Sequence, residues 1–129
     1  MGGNQKFNKN YIMKTRQEIL EVLPHFRGSA EYFQHPFLDY KLILSEGAIF
    51  LREACQCYWL FDIVAQQSVK HQEFQVTLRQ LHTGEWMIKF QDLNLEKVLY
   101  RQRIPYSDFP LDKIKLWFMN GICFLPSEH

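Results

Sequence analysis

The pattern of apolar and polar positions changes period along the chain, and each change predicts an element. The densest apolar stretch, Cys57 to Ala65, is broken by one carboxylate, Asp62, and closed by Gln66, Gln67 and Ser68. A run this short cannot cross a bilayer core, which takes about 20 apolar residues. As a helix it sets Trp59, Leu60, Ile63 and Val64 on one stripe, with Tyr58, Phe61 and Ala65 filling much of the remaining circumference. Such a helix is buried on several sides. Asp62 then needs a partner, because an uncompensated buried carboxylate is costly.

Upstream, Thr15-Arg16-Gln17-Glu18 reads as a capping box that starts a helix with Ile19, Leu20 and Leu23 on its apolar face, ended by Pro24 and Gly28. From Ser29 to Leu44 an aromatic-rich alternation predicts two short strands joined by a loop at Pro36 to Asp39. Ser45 is a good N-cap, and Glu46 suits the positive end of a helix dipole. The helix that follows, through Ala48, Leu51, Arg52 and Cys55, either continues into the Trp59 run or breaks near Gln56.

Beyond Gln72 the period becomes two. Phe74, Val76 and Leu78 alternate with polar residues, and the reversed parity at Gln80 and Leu81 predicts a β-bulge. A turn at Thr83-Gly84-Glu85 returns the chain through Trp86, Ile88 and Phe90, and a second turn over Asp92 to Lys97 leads to a strand with Val98, Tyr100, Gln102 and Ile104 inward. Asn120-Gly121 then joins two apolar runs as a two-residue hairpin. That register pairs Met119 with Ile122, Phe118 with Cys123, Trp117 with Phe124 and Leu116 with Leu125, so both faces are apolar. The face with Trp117, Met119, Ile122 and Phe124 needs cover, from the first helix or from a second copy in a homodimer. The fold class expected is α+β: a basic, flexible arm over 1–14 and one domain over 15–129, an antiparallel sheet with helices packed on one face.

Composition narrows the function classes. With 47% hydrophobic residues the chain can fill a core, and a net charge of +1 makes nucleic acid an unlikely partner on overall charge. Lys6, Lys9, Lys14 and Arg16 give only a local basic bias. Three cysteines, an odd number, with Cys55 and Cys57 too close for an ordinary bridge, point to a reducing, cytoplasmic compartment, and no signal-type or membrane-spanning run is seen.

No motif compels a chemistry. Cys55-x-Cys57 has no second cluster to complete a zinc site, so neither metal nor cofactor is expected. Asp92-Leu93-Asn94-Leu95-Glu96 resembles a calcium loop but has Lys97 in place of the glycine and Arg103 in place of the closing glutamate. A cysteine–histidine nucleophile pair is not singled out by Cys123, His35, His71 or His82. Asp62 and Asp108 are the carboxylates least explained by solubility. Converging with Tyr58, Gln102 and Tyr106, they would form a polar pocket for a small ligand.

The combination of Tyr58-Trp59-Leu60-Phe61-Asp62, the segment Ile104-Pro105-Tyr106-Ser107-Asp108-Phe109-Pro110-Leu111 and the run Leu125-Pro126-Ser127-Glu128 resembles a family of short uncharacterised bacterial proteins, a domain of unknown function. The resemblance runs from about Phe26 onward and departs at His129, where an aromatic residue is expected. It implies no activity, and enzymatic function stays open. The expectation is therefore a small interaction or regulatory module with a protein or small-molecule partner. The alternative is a small-molecule-binding protein or enzyme built on the Asp62 and Asp108 pocket.

Overall fold

The computed structural model describes residues 14–38 and 40–129, so most of the basic arm lies outside the described residues. The capping box forms as expected: Thr15 Oγ1 accepts from the Glu18 backbone N–H, and Glu18 Oε1 accepts from that of Thr15. It starts α1 (Arg16–Val22), which passes into a 3-10 turn at Pro24. Only Ile19 of this helix is fully buried, whereas Leu20 is exposed, so the helix docks by a narrow stripe.

Strand β1 (Phe33–Phe37) and β2 (Tyr40–Leu44) form an antiparallel hairpin. The loop expected from Pro36 onward is shorter, because Pro36 lies within β1. As an edge strand, β1 tolerates a residue with no amide hydrogen to donate. Ser45 caps α2 (Glu46–Cys55), its Oγ accepting from the Ala48 N–H at 3.1 Å. The helical segment is two helices, not one. Gln56 takes the left-handed conformation (φ 51°, ψ 42°), ends α2, and lets α3 (Tyr58–Ser68) leave in a new direction.

The remaining strands are β3 (Phe74–Gln80), β4 (Trp86–Gln91), β5 (Val98–Ile104), β6 (Lys113–Met119) and β7 (Ile122–Phe124). They join the first hairpin in one sheet of order β1-β2-β7-β6-β3-β4-β5. The sheet is mostly antiparallel, and the fold is α+β. Two features depart from a simple meander. The segment after β5 carries the chain back across the sheet so that β6 pairs with β3, and β7 then pairs with β2 in parallel. The bulge expected at Gln80 is absent, since β3 ends there; the register shifts instead between Phe90 and Gln91, where β4 meets β5.

The Asn120-Gly121 hairpin forms in the expected register for Trp117 with Phe124, Phe118 with Cys123 and Met119 with Ile122, both turn residues having positive φ (54° and 79°) as a type I′ turn requires. The fourth pair, Leu116 with Leu125, does not form because β7 stops at Phe124.

One face of the sheet carries Leu42, Leu44, Phe74, Val76, Leu78, Ile88, Phe90, Leu116, Phe118 and Cys123, all buried. They pack with Ala48, Leu51, Ala54 and Cys55 of α2 and Leu60, Phe61, Val64 and Ala65 of α3 in one core. Each fully buried aliphatic or aromatic side chain contributes roughly 1.5–3 kcal/mol. The α3 stripe is rotated from the expected one: Phe61 and Ala65 are buried, while Trp59 and Ile63 are half-buried at its margin. Among the described residues no helix is long and apolar enough to cross a membrane.

Candidate functional site

Of the places where chemistry-bearing side chains come together, three bear on function. The first lies where β1 meets the helices. His35, pointing into the core from β1, is 1% exposed and bonded through both ring nitrogens: Nε2 to Asp62 Oδ1 at 2.7 Å, and Nδ1 to Arg52 Nη1 at 2.8 Å. Arginine can only donate, so Nδ1 accepts and Nε2 carries the hydrogen given to Asp62. Arg52 is itself buried, bonds Glu53 through Nε and Nη2, and lies 4.4 Å from the centre of the Tyr58 ring. Tyr58 in turn donates its hydroxyl to Glu53, and burial and that carboxylate push its ionisation upward. The chain Asp62–His35–Arg52–Glu53–Tyr58 therefore satisfies its own members. Asp62 is 36% exposed and reaches its partner at the helix margin.

The second place is a hollow of about 500 Å³ between α3 and the end of β5, with Trp59 and Ile63 on one wall and Gln102, Tyr106 and Asp108 among the residues on the other. Gln102, the inward polar residue of β5, accepts from the Tyr100 hydroxyl at 2.9 Å. Tyr106 is 80% exposed at the rim. Of the five residues chosen from the sequence, Gln102, Tyr106 and Asp108 line this hollow. Tyr58 and Asp62 belong to the histidine cluster instead.

The thiols of Cys57 and Cys123 are held in their protonated form. Burial pushes Cys123 far up, and burial together with Cys55 does the same to Cys57. All three cysteines are free and buried. Among the described residues no group of three or more histidine, cysteine or acidic side chains is arranged to hold a metal ion.

The third place is the sheet face that, among the described residues, carries no helix. Strand alternation sends every lysine and arginine of the sheet to it: Arg79 from β3, Lys89 from β4, Arg101 and Arg103 from β5, Lys113 and Lys115 from β6, with Lys41 of β2 farther across. Among the described residues no strand contains an aspartate or glutamate. Among the described residues the one carboxylate paired with this set is Glu85, 2.8 Å from Arg103. Arg79 lies directly opposite Lys113, and Lys89 directly opposite Arg101. Like charges in such positions oppose folding. Arg79, Lys89, Lys113 and Lys115 rim a hollow of about 190 Å³ whose floor is Gln75 and Thr77, both buried beneath these long side chains.

One step along β6 from Lys115 the same face turns aromatic. Trp117 donates its indole N–H to Gln75 Oε1 at 2.9 Å and meets the Phe124 ring edge-on at 6.2 Å. The His129 ring lies nearly parallel to Phe124, with 12° between planes, in the position where an aromatic residue was expected. Met119 and Ile122 extend this strip, and all four proposed interface residues are half-buried.

Sequence reasoning missed the basic face because net charge averages it away. The signal was present as spacing: Arg101-x-Arg103 and Lys113-x-Lys115 repeat every second residue, as neighbours on one face of a strand must.

A family model described as a family of unknown function (DUF6876) matches residues 17–129. No curated protein and no solved structure matches the chain.

Proposed function

We propose that this chain, which belongs to the DUF6876 family of unknown function, is a binding module that holds an anionic partner against its helix-free sheet face. The observation that carries the reading is the segregation of charge. Among the described residues, a chain of net charge +1 places the lysine and arginine residues of its strands on one face, some directly opposite one another, with no acid in any strand. Solubility does not require this, since interspersed charges serve it as well and without mutual repulsion. A surface that repels itself is relieved by a negative partner.

The same observation weighs against a homodimer built by stacking two whole sheets, which would set cations on cations. Only the strip of Trp117, Met119, Ile122 and Phe124 suits a second copy. It also ranks above the pocket reading. Asp62 is engaged with His35 and does not line the hollow that Asp108 lines, so the two carboxylates supply no shared acid–base pair. Free, buried thiols fit a reducing compartment, and we place the module in the cytoplasm.

Heparin chromatography tests the reading. The double variant Lys89→Glu/Lys115→Glu should elute near the void, whereas Lys14→Glu/Lys70→Glu, equal in charge but away from the sheet face, should elute close to the parent. Equal losses in both variants would mean that total charge, and not this face, governs retention.

A further inference from the structure

We infer that the partner is a single-stranded nucleic acid, its phosphates on the cationic rows of β3 to β6 and its bases on the rings at the end of β6 and β7. The inference rests on the reading of the sheet face as the binding surface and adds the class of partner.

Two observations select this class among polyanions. The first is the immediate succession of cations and rings. Lys113, Lys115 and Trp117 occupy alternate positions on one strand, so successive side chains on this face stand roughly 7 Å apart. Trp117 then leads across to Phe124 and His129. An acidic peptide or a sulfated sugar can be held by the cations alone, whereas every unpaired base has a π face to stack on the rings as well. The second is shape. Among the described residues the surface is a sheet from which no helix or ribbon projects to enter a duplex groove, and the bases of a duplex are already stacked on one another. A single strand laid across the sheet meets both requirements at once. The Gln75 amide and Thr77 hydroxyl of the floor add polar groups, and Gln75 already holds Trp117 in place through its side-chain oxygen.

The position of the tryptophans supplies a specific readout. Trp86 is buried in the core and Trp59 lines the hollow beside α3, so Trp117 is the tryptophan on the helix-free face.

The test uses the 129-residue chain and fluorescein-labelled oligouridylate and oligothymidylate of about eight nucleotides, a length within one small-module footprint. A duplex of equal length and polyglutamate serve as competitors. Binding by anisotropy should weaken about 50-fold between 50 and 200 mM salt, the slope expected when four phosphates meet Arg79, Lys89, Lys113 and Lys115 on a single strand. Unlabelled strand should quench intrinsic fluorescence. Trp117→Phe should remove the quench while keeping most of the affinity, and Lys89→Glu/Lys115→Glu should abolish binding with the circular dichroism spectrum unchanged. Oligouridylate and oligothymidylate differ at the 2′-hydroxyl and at the base 5-methyl group, and a difference between them assigns a contact to one of these groups and supports the proposal. Polyglutamate or duplex competing as well as the single strand, or a quench that persists in Trp117→Phe, overturns the nucleic-acid assignment and leaves the anionic face standing. No binding of any polyanion, with the charge reversals silent, overturns both.

Discussion

Replacing Arg101 and Lys113 with threonine should make the protein more stable and the binding face weaker. Each residue stands directly opposite another cation, Lys89 and Arg79 respectively. Two unit charges about 5 Å apart in water repel by roughly 0.8 kcal/mol, and splaying of long side chains lowers this. Direct measurements of cross-strand pairs span about 0.2–1 kcal/mol each. Two relieved pairs therefore give about 1 kcal/mol, or about 3–5 °C in Tm for a chain of this size. Threonine also has a higher strand preference than lysine or arginine, a gain of a few tenths of a kcal/mol that salt does not touch. The assay is thermal and urea unfolding of parent and double variant at low salt and in 1 M NaCl, where the Debye length falls to about 3 Å. The gain should shrink by more than half at high salt, and heparin retention should fall. A variant that is less stable than the parent, or a gain identical at both ionic strengths, would refute the claim that the face stores repulsion.

Glu128→Ala should destabilise by about 2–4 kcal/mol in urea unfolding, because this carboxylate accepts from the Ser45 and Ser29 hydroxyls and from the Gly47 and Leu125 amides, tying the chain's last turn to the start of α2. Gly47→Ala should weaken the same junction by about 1–3 kcal/mol, since a Cβ there would stand 2.6 Å from Glu128 Oε1 and from Leu125 Cδ1. His35→Ala should cost about 2–4 kcal/mol, as it strands the buried Arg52 donor and opens a cavity, while leaving heparin retention of the folded fraction unchanged. The thiols of Cys57 and Cys123 set an alkaline limit. Their folded pKa values lie above the unfolded value near 9, so the folded state holds protons that the unfolded state releases, and stability falls as pH rises past about 9. The limiting slope is about 1.4 kcal/mol per pH unit for each thiol. Cys123→Ala should flatten that slope by one such contribution, and an unchanged slope would argue against the thiol as its source.

What the sequence revealed depended on how local the signal was. The capping box, the Ser45 cap and the Asn120-Gly121 hairpin are each complete within a few residues, and they appear as read. The alternation of β3 and β4 gave the inward residues correctly, whereas on β5 Tyr100, Gln102 and Ile104 lie inward only half-buried and Val98, expected inward, is exposed where the register between β4 and β5 shifts. Strand order was not legible, since nothing local to Lys113–Met119 says that it pairs with β3 and not β5. The sequence leaves the break near Gln56 as one of two alternatives and does not decide it: glutamine is not a usual left-handed cap, and the conformation there is imposed by the packing of both helices on the core. Asp62 drew attention as a charge in an apolar run. Its partner, 27 residues earlier on an edge strand, could be found only in three dimensions. Tyr106 and Asp108 did come together with Gln102, because they follow it on the same strand end.

Lysine footprinting tests the central claim most directly. The chain is acetylated at limiting reagent with and without saturating polyanion, and the rate at each lysine is read by peptide mass spectrometry. Lys89, Lys113 and Lys115 should slow several-fold on binding while Lys14 and Lys70, exposed away from the sheet face, keep their rates. Uniform slowing, or protection of Lys14 and Lys70 with the sheet lysines unchanged, would contradict the assignment of the helix-free face as the binding surface.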